Sequence, residues 1–133
     1  MSFALDAKMA ADTKLLAQWK LCQVLLMNDR TYPWLILVPA IPDLRDFNDV
    51  PRAHWATLMA EIERAANALK RLHNPYKMNV AALGNVVEQL HIHVIARQKT
   101  DAAWPKPVWG VVPTQPYAPD ELQRTADRLL GVL

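Results

Sequence analysis

This chain of 133 residues has a single cysteine, Cys22, and three glycines, Gly84, Gly110 and Gly131. A lone cysteine excludes an intrachain disulfide and suits a reducing compartment, so a cytoplasmic location is the expectation. Three scattered glycines are too few for a flexible linker. No apolar run approaches the roughly 18 residues of a membrane helix. The first eight residues lack the basic stretch and apolar run of a signal peptide, so a soluble protein without a membrane partner is expected. Charge of one sign is scarce too. Fifteen Lys plus Arg against thirteen Asp plus Glu leave +2, too small a surplus for a nucleic-acid or membrane-surface footprint. There is no internal repeat and no low-complexity tract.

What remains is ordinary globular usage, 52% hydrophobic and 21% charged, enough for a single α+β domain over residues 1–133. Ten prolines punctuate it. Residues 6–19 carry Met9, Leu15, Leu16 and Trp19 at imperfect helical spacing, predicting an N-terminal helix. Residues 21–27 and 34–38 are apolar runs split by Asn28-Asp29-Arg30-Thr31-Tyr32-Pro33, an antiparallel hairpin. Trp55, Leu58, Met59, Ile62, Ala65, Ala66, Leu69 and Leu72 then recur at threes and fours, giving a long helix over residues 51–72. Asn48 or Asp49 would be its N-cap and Pro51 would lie in its first turn. Strands are predicted over residues 77–83 and 86–96, with Gly84-Asn85 as a turn or bulge between them, and Pro119 opens a terminal helix. The expected architecture is an antiparallel sheet with one long packed helix and shorter helices at either end.

Chemistry concentrates in residues 88–97, Glu-Gln-Leu-His-Ile-His-Val-Ile-Ala-Arg. A strand period of two puts Gln89, His91 and His93 on one face and Leu90, Ile92, Val94 and Ala96 on the packed one. Neighbours on that face lie about 7 Å apart, so two imidazoles can address one small anion. The bland counterpart is a pair of half-exposed histidines on a solvated sheet.

Residues 84–97 resemble the signature of the histidine triad nucleotide-binding superfamily, His-x-His-x-His followed by two apolar residues. The resemblance runs from about residue 21 to residue 97. It places Gln89 at the first triad position, His91 at the middle and His93 at the last. Trp34 stands where many members carry a further histidine. The resemblance implies that His91 attacks the α-phosphorus of a nucleotide, giving a nucleotidyl-histidine intermediate that water or another acceptor resolves. His93 would donate a hydrogen bond to the phosphate or leaving group, and Gln89, which takes up no proton near neutrality, would orient. By the same resemblance, Asn79 and Asn85 would hold phosphate oxygens and Asn28 the ribose hydroxyls, while Gly84 lets backbone approach the ligand. The base would rest on one of Leu21, Leu26 or Ile36. A homodimer is implied. No cofactor is expected beyond a divalent ion arriving with the nucleotide.

Three other readings follow from the residues. His-x-His can offer two ligands to zinc, but His54, His73 and Cys22 show no paired spacing that supplies a third, so no metal site is expected. Loss of the first triad histidine could leave a nucleotide-binding protein without turnover. Residues 104–110, Trp-Pro-Lys-Pro-Val-Trp-Gly, could stack a base, cover a subunit boundary or pack as an irregular tail, and Arg97, Lys99 and Lys106 could steer phosphate.

Overall fold

The computed structural model describes residues 2–133. Five strands form one antiparallel sheet: β1 (Thr13–Gln18), β2 (Cys22–Met27), β3 (Trp34–Pro39), β4 (Lys77–Ala81) and β5 (Ile92–Arg97), in the order β1-β2-β3-β5-β4. The long helix α2 (Trp55–His73) connects β3 to β4; α1 (Ala7–Asp12) and α3 (Pro119–Leu130) lie near the ends.

Both faces of the sheet are covered, which is why β2, β3 and β5 are nearly continuous apolar runs. On one face Val24, Leu26, Leu35, Leu37, Ile92, Val94 and Ala96 pack against Leu58, Ala65 and Leu69 of α2 and Ala126 and Leu129 of α3. On the other, Leu25, Trp34, Ile36, Val38 and Ile95 pack with Met9, Tyr32, Ala103 and Val108. Glu61 of α2, itself buried, accepts the amides of Leu21 and Cys22 at 3.0 and 2.8 Å, fixing the helix against the start of β2. Burial pushes the neighbouring Cys22 thiol far up, leaving it unreactive.

Three elements differ from the sequence-based expectation. The N-terminal helix stops at Asp12: Asp6 caps it, accepting from the amides of Lys8 and Met9, and residues 13–18 become β1. Pairing of Lys14 with Leu26 and of Leu15 with Leu25 outweighs local helix propensity there. The helix expected from residue 51 starts as a 3-10 turn, Arg52–His54, and becomes α-helical at Trp55. Asn48 and Asp49 do not cap it; the Asp49 carboxylate is spent on the amides of Arg45 and Asp46. The strand expected from residue 86 starts at Ile92, because residues 82–91 form an irregular loop whose Leu90 amide bonds to Leu44 outside the sheet. The helix end is as expected: Asn74 adopts φ 44°, ψ 57° and Pro75 follows.

Candidate active site

Strand β5 and the loop ahead of it build the site. Leu90, Ile92 and Val94 enter the helix-facing core, so alternation turns His91 and His93 toward the other face. There the two imidazoles meet edge to face, centroids 4.8 Å apart. They line an open cavity of about 390 Å³ walled by Lys8, Met9 and Asp12 of the N-terminal segment, Met27, Asp29, Trp34 and Ile36 of the hairpin, Gly84 to Val87 of the loop, and the 108–114 segment.

The two rings are held differently. His91 Nδ1 lies 2.7 Å from the Gln89 carbonyl. A carbonyl only accepts, so Nδ1 carries the ring proton and Nε2 keeps its lone pair. No protein group among the described residues bonds to that nitrogen. The ring is buried, but against the cavity. Gly84 makes room for it: a Cβ there would lie 2.6 Å from the Val87 carbonyl oxygen and 3.1 Å from His91 Cε1.

His93 has both nitrogens occupied. Trp34 Nε1 donates to Nδ1 at 3.0 Å, and Nε2 lies 3.0 Å from the Leu83 carbonyl. Trp34 faces Ile95 across the β3–β5 ladder, so it stands diagonal to His93, within reach of an indole. Burial pushes the His93 pKa down to about 4, the Leu83 carbonyl opposing and His91 adding to the fall. In this arrangement His93 has no nitrogen left to donate to a phosphate, contrary to the role implied by the triad resemblance.

Gln89 also departs from expectation. Its side chain turns to the N-terminal segment, Oε1 accepting from the Asp6 amide and Nε2 donating to the Ala4 carbonyl, both at 2.8 Å. One amide thus reads a main-chain donor and acceptor together and seats the segment that supplies Lys8, Met9 and Asp12. What Gln89 presents to His91 is its backbone carbonyl and not its side chain.

Of the residues expected at the nucleotide, Gly84 and Asn85 line the cavity. Asn79 does not: it accepts from the Arg97 guanidinium at 2.8 Å. Asn28 does not either; its side chain accepts the Tyr117 amide at 2.9 Å, strapping the C-terminal segment to the hairpin turn. Arg97 cannot steer substrate, being 1% exposed and clasped by Asp101 at 2.8 and 3.1 Å and by the Lys106 carbonyl. Of the three apolar positions offered for a base, Ile36 reaches the cavity, whereas Leu21 and Leu26 lie in the opposite core.

Sequence reading missed Asp29, buried at the cavity wall. Its Oδ1 accepts the amides of Thr31 and Gln115, leaving Oδ2 without a partner among the described residues. It also missed the N-terminal wall. An Asp two residues past a strand is an ordinary turn signal, and nothing local ties residue 8 to residue 91. The 104–110 segment proves divided in role: Trp109 edges onto His93 at 4.9 Å and onto Trp34 at 5.9 Å, while Trp104 packs on Tyr76 and Arg97. Among the described residues no three His, Cys, Asp or Glu side chains gather as they would around a metal ion.

The family model for the HIT domain matches residues 8–100. A histidine triad protein from Marinobacter aquaeolei is 42% identical, covering 100% of this chain and 97% of its own, with a TM-score of 0.96. One from Bradyrhizobium japonicum is 41% identical, covering 99% and 98%, at 0.95. The fold alone is shared with a Plasmodium falciparum diadenosine triphosphate hydrolase, 14% identical, covering 96% and 77%, at 0.67. No curated protein sequence matches the chain. With the family model spanning more than half the chain and two relatives above 40% identity matched end to end, this protein belongs to the HIT-domain family.

Proposed function

We propose that the chain is a nucleotide phosphoanhydride or phosphoramidate hydrolase, or a nucleotidyl transferase, that works through a covalent nucleotidyl-His91 intermediate. One observation carries this reading: the Gln89 carbonyl accepts a hydrogen bond from Nδ1–H, so in the neutral ring the lone pair lies on Nε2, in a side chain lining the cavity. A neutral imidazole held in that tautomer is nucleophilic near neutral pH. On attack the ring gains positive charge, which the same carbonyl dipole stabilises. Asn85 and the backbone around Gly84 would meet the phosphate, Asp29 Oδ2 the ribose hydroxyls, and Met27 and Ile36 the base.

Incubating wild type and His91→Ala with a panel that includes a dinucleoside polyphosphate and an adenosine phosphoramidate tests it. Product release should fall by at least about a thousandfold in the variant, of the order seen when a catalytic nucleophile is removed elsewhere. Equal rates would end the covalent proposal. A second reading, nucleotide binding without turnover, is favoured by the engagement of both His93 nitrogens; it predicts a bound nucleotide and no adduct on His91.

The working unit in this reading is a cytoplasmic homodimer. Strand β4 is a sheet edge, and beside it Phe47, Trp55 and Met59 expose apolar side chains around a groove that also holds Val80. A second copy pairing β4 with β4 would satisfy the edge and cover that surface.

A further inference from the structure

The contact between Trp34 and His93 bears on which bond the site can break. An indole offers one polar hydrogen and accepts nothing. Its approach to Nδ1 therefore fixes that nitrogen as the unprotonated one, and the ring proton sits on Nε2, donated to Leu83. A second proton on Nδ1 would point straight at the indole hydrogen. Trp109 closes over the ring edge on, further excluding water. The other titratable groups around the cavity are His91, ring to ring with His93, and Lys8, Asp12 and Asp29 on the walls. None of these hydrogen-bonds to His93, and Lys8 is held by Asp12 at 2.7 Å.

Resting on the His91 reading above, we propose that Trp34 is a specificity-determining positioning residue. By capping Nδ1 it confines the ring's one proton to Nε2, where the Leu83 carbonyl holds it. The proton a poor leaving group would need is thereby withheld, and the site selects phosphoanhydrides, such as dinucleoside polyphosphates, over phosphoramidates. In the first step the Nε2 lone pair of His91 bonds to the α-phosphorus. The P–O bond to the next phosphate breaks, and its electron pair leaves on that oxygen as a stable phosphate oxyanion, with no proton required. In the second step water attacks phosphorus, the Nε2–P electrons return to the imidazole, and the water proton passes to solvent as nucleoside monophosphate departs. An amine leaving from phosphorus must instead be protonated on nitrogen as the P–N bond breaks. The only ring N–H of His93 is already given to Leu83. The depressed His93 pKa, about 4, agrees with this geometry.

The test compares kcat/KM for diadenosine tetraphosphate and adenosine 5′-phosphoramidate at pH 7 in wild type, Trp34→Phe and Trp34→His. Nitrogen-15 NMR follows the His93 tautomer in wild type and Trp34→Phe. Wild type should prefer the anhydride at least a hundredfold, and each variant should lower that ratio at least tenfold. His93 should remain the neutral Nε2–H form from pH 8 to 5 in wild type and titrate within that range in Trp34→Phe. The wild-type ratio and tautomer need no variant to fold. A ratio near or below one, or a His93 that titrates above pH 5 in wild type, overturns the inference. So do folded variants that leave ratio and titration unchanged. If both substrates turn over through His91 at equal rates, this inference alone fails; if neither does and no adduct forms, the functional reading fails with it.

Discussion

Gly84 is the residue whose side chain matters by being absent. A methyl group there has nowhere to go, because one neighbour is backbone and the other is the ring proposed to attack phosphorus. Gly84→Ala should cost about 1–3 kcal/mol by overpacking and should lower kcat more than tenfold, read from chemical denaturation and from single-turnover assays. His93 leaves its mark on stability. Its pKa is below that of a free histidine, so the unfolded chain binds the extra proton first. The stability this represents is intact above about pH 6.5 and drains away as pH falls toward 4. That is about 3 kcal/mol across the window. His73, pushed down by burial and by Arg128, acts in the same direction. The check is therefore the difference between wild type and His93→Gln in urea midpoints from pH 7 to 4.5, where the variant should show the flatter profile. Asp101 titrates lower. Burial opposes its charge, but Arg97 and the Gln98 and Trp104 amides outweigh that and hold the carboxyl below its usual range, so its contribution is lost below about pH 4. The histidine pair was legible from spacing; the tautomers were not, because they depend on Trp34, Leu83 and the Gln89 backbone.

At the scale of elements, the N-terminal segment is hydrogen-bonded to the 82–91 loop through one side chain, Gln89, across more than 80 residues of sequence. Gln89→Ala removes both bonds at a cost of about 1–3 kcal/mol. It should speed amide hydrogen exchange at residues 6–10 without altering α2. A histidine in its place cannot offer a donor and an acceptor side by side as an amide does, so Gln89→His should free the segment too. Unchanged exchange in both variants would remove Gln89 from this role. The element boundaries show where periodicity misleads. Residues 13–18 have helical spacing but are drawn into the sheet by β2, and residues 86–91 have strand spacing but are bent away by the tight approach at Gly84. α2 was predictable because its apolar stripe persists for five turns, whereas its first turn was obscured by Asp49 bonding backward to Arg45 and Asp46.

For the whole molecule, the proposed dimer turns on the β4 edge. Met59 and Phe47 are 67% and 62% exposed, and Val80 beside them is 49% exposed. Such a cluster next to an unpaired strand is costly to leave in water. Sedimentation of the wild type should give a dimer, and Met59→Glu combined with Val80→Lys should shift it to monomer with the far-ultraviolet dichroism retained. A wild type that sediments as a monomer at tens of micromolar removes the dimer.

Several things followed from the chain alone because they are local or periodic: an α+β composition, the long helix, the apolar runs of β2 and β3, and two histidines turned to one side of the sheet, although only His93 lies within β5 and His91 ends the loop ahead of it. Others required the fold because they join residues far apart. Pairing β3 beside β5 puts Trp34 diagonal to His93, closing the 82–91 loop puts a carbonyl on each imidazole, and docking residues 3–12 on Gln89 completes the cavity wall. Alternation along a strand can aim a histidine, but where its proton sits is decided by the partners that tertiary contact brings to its two nitrogens.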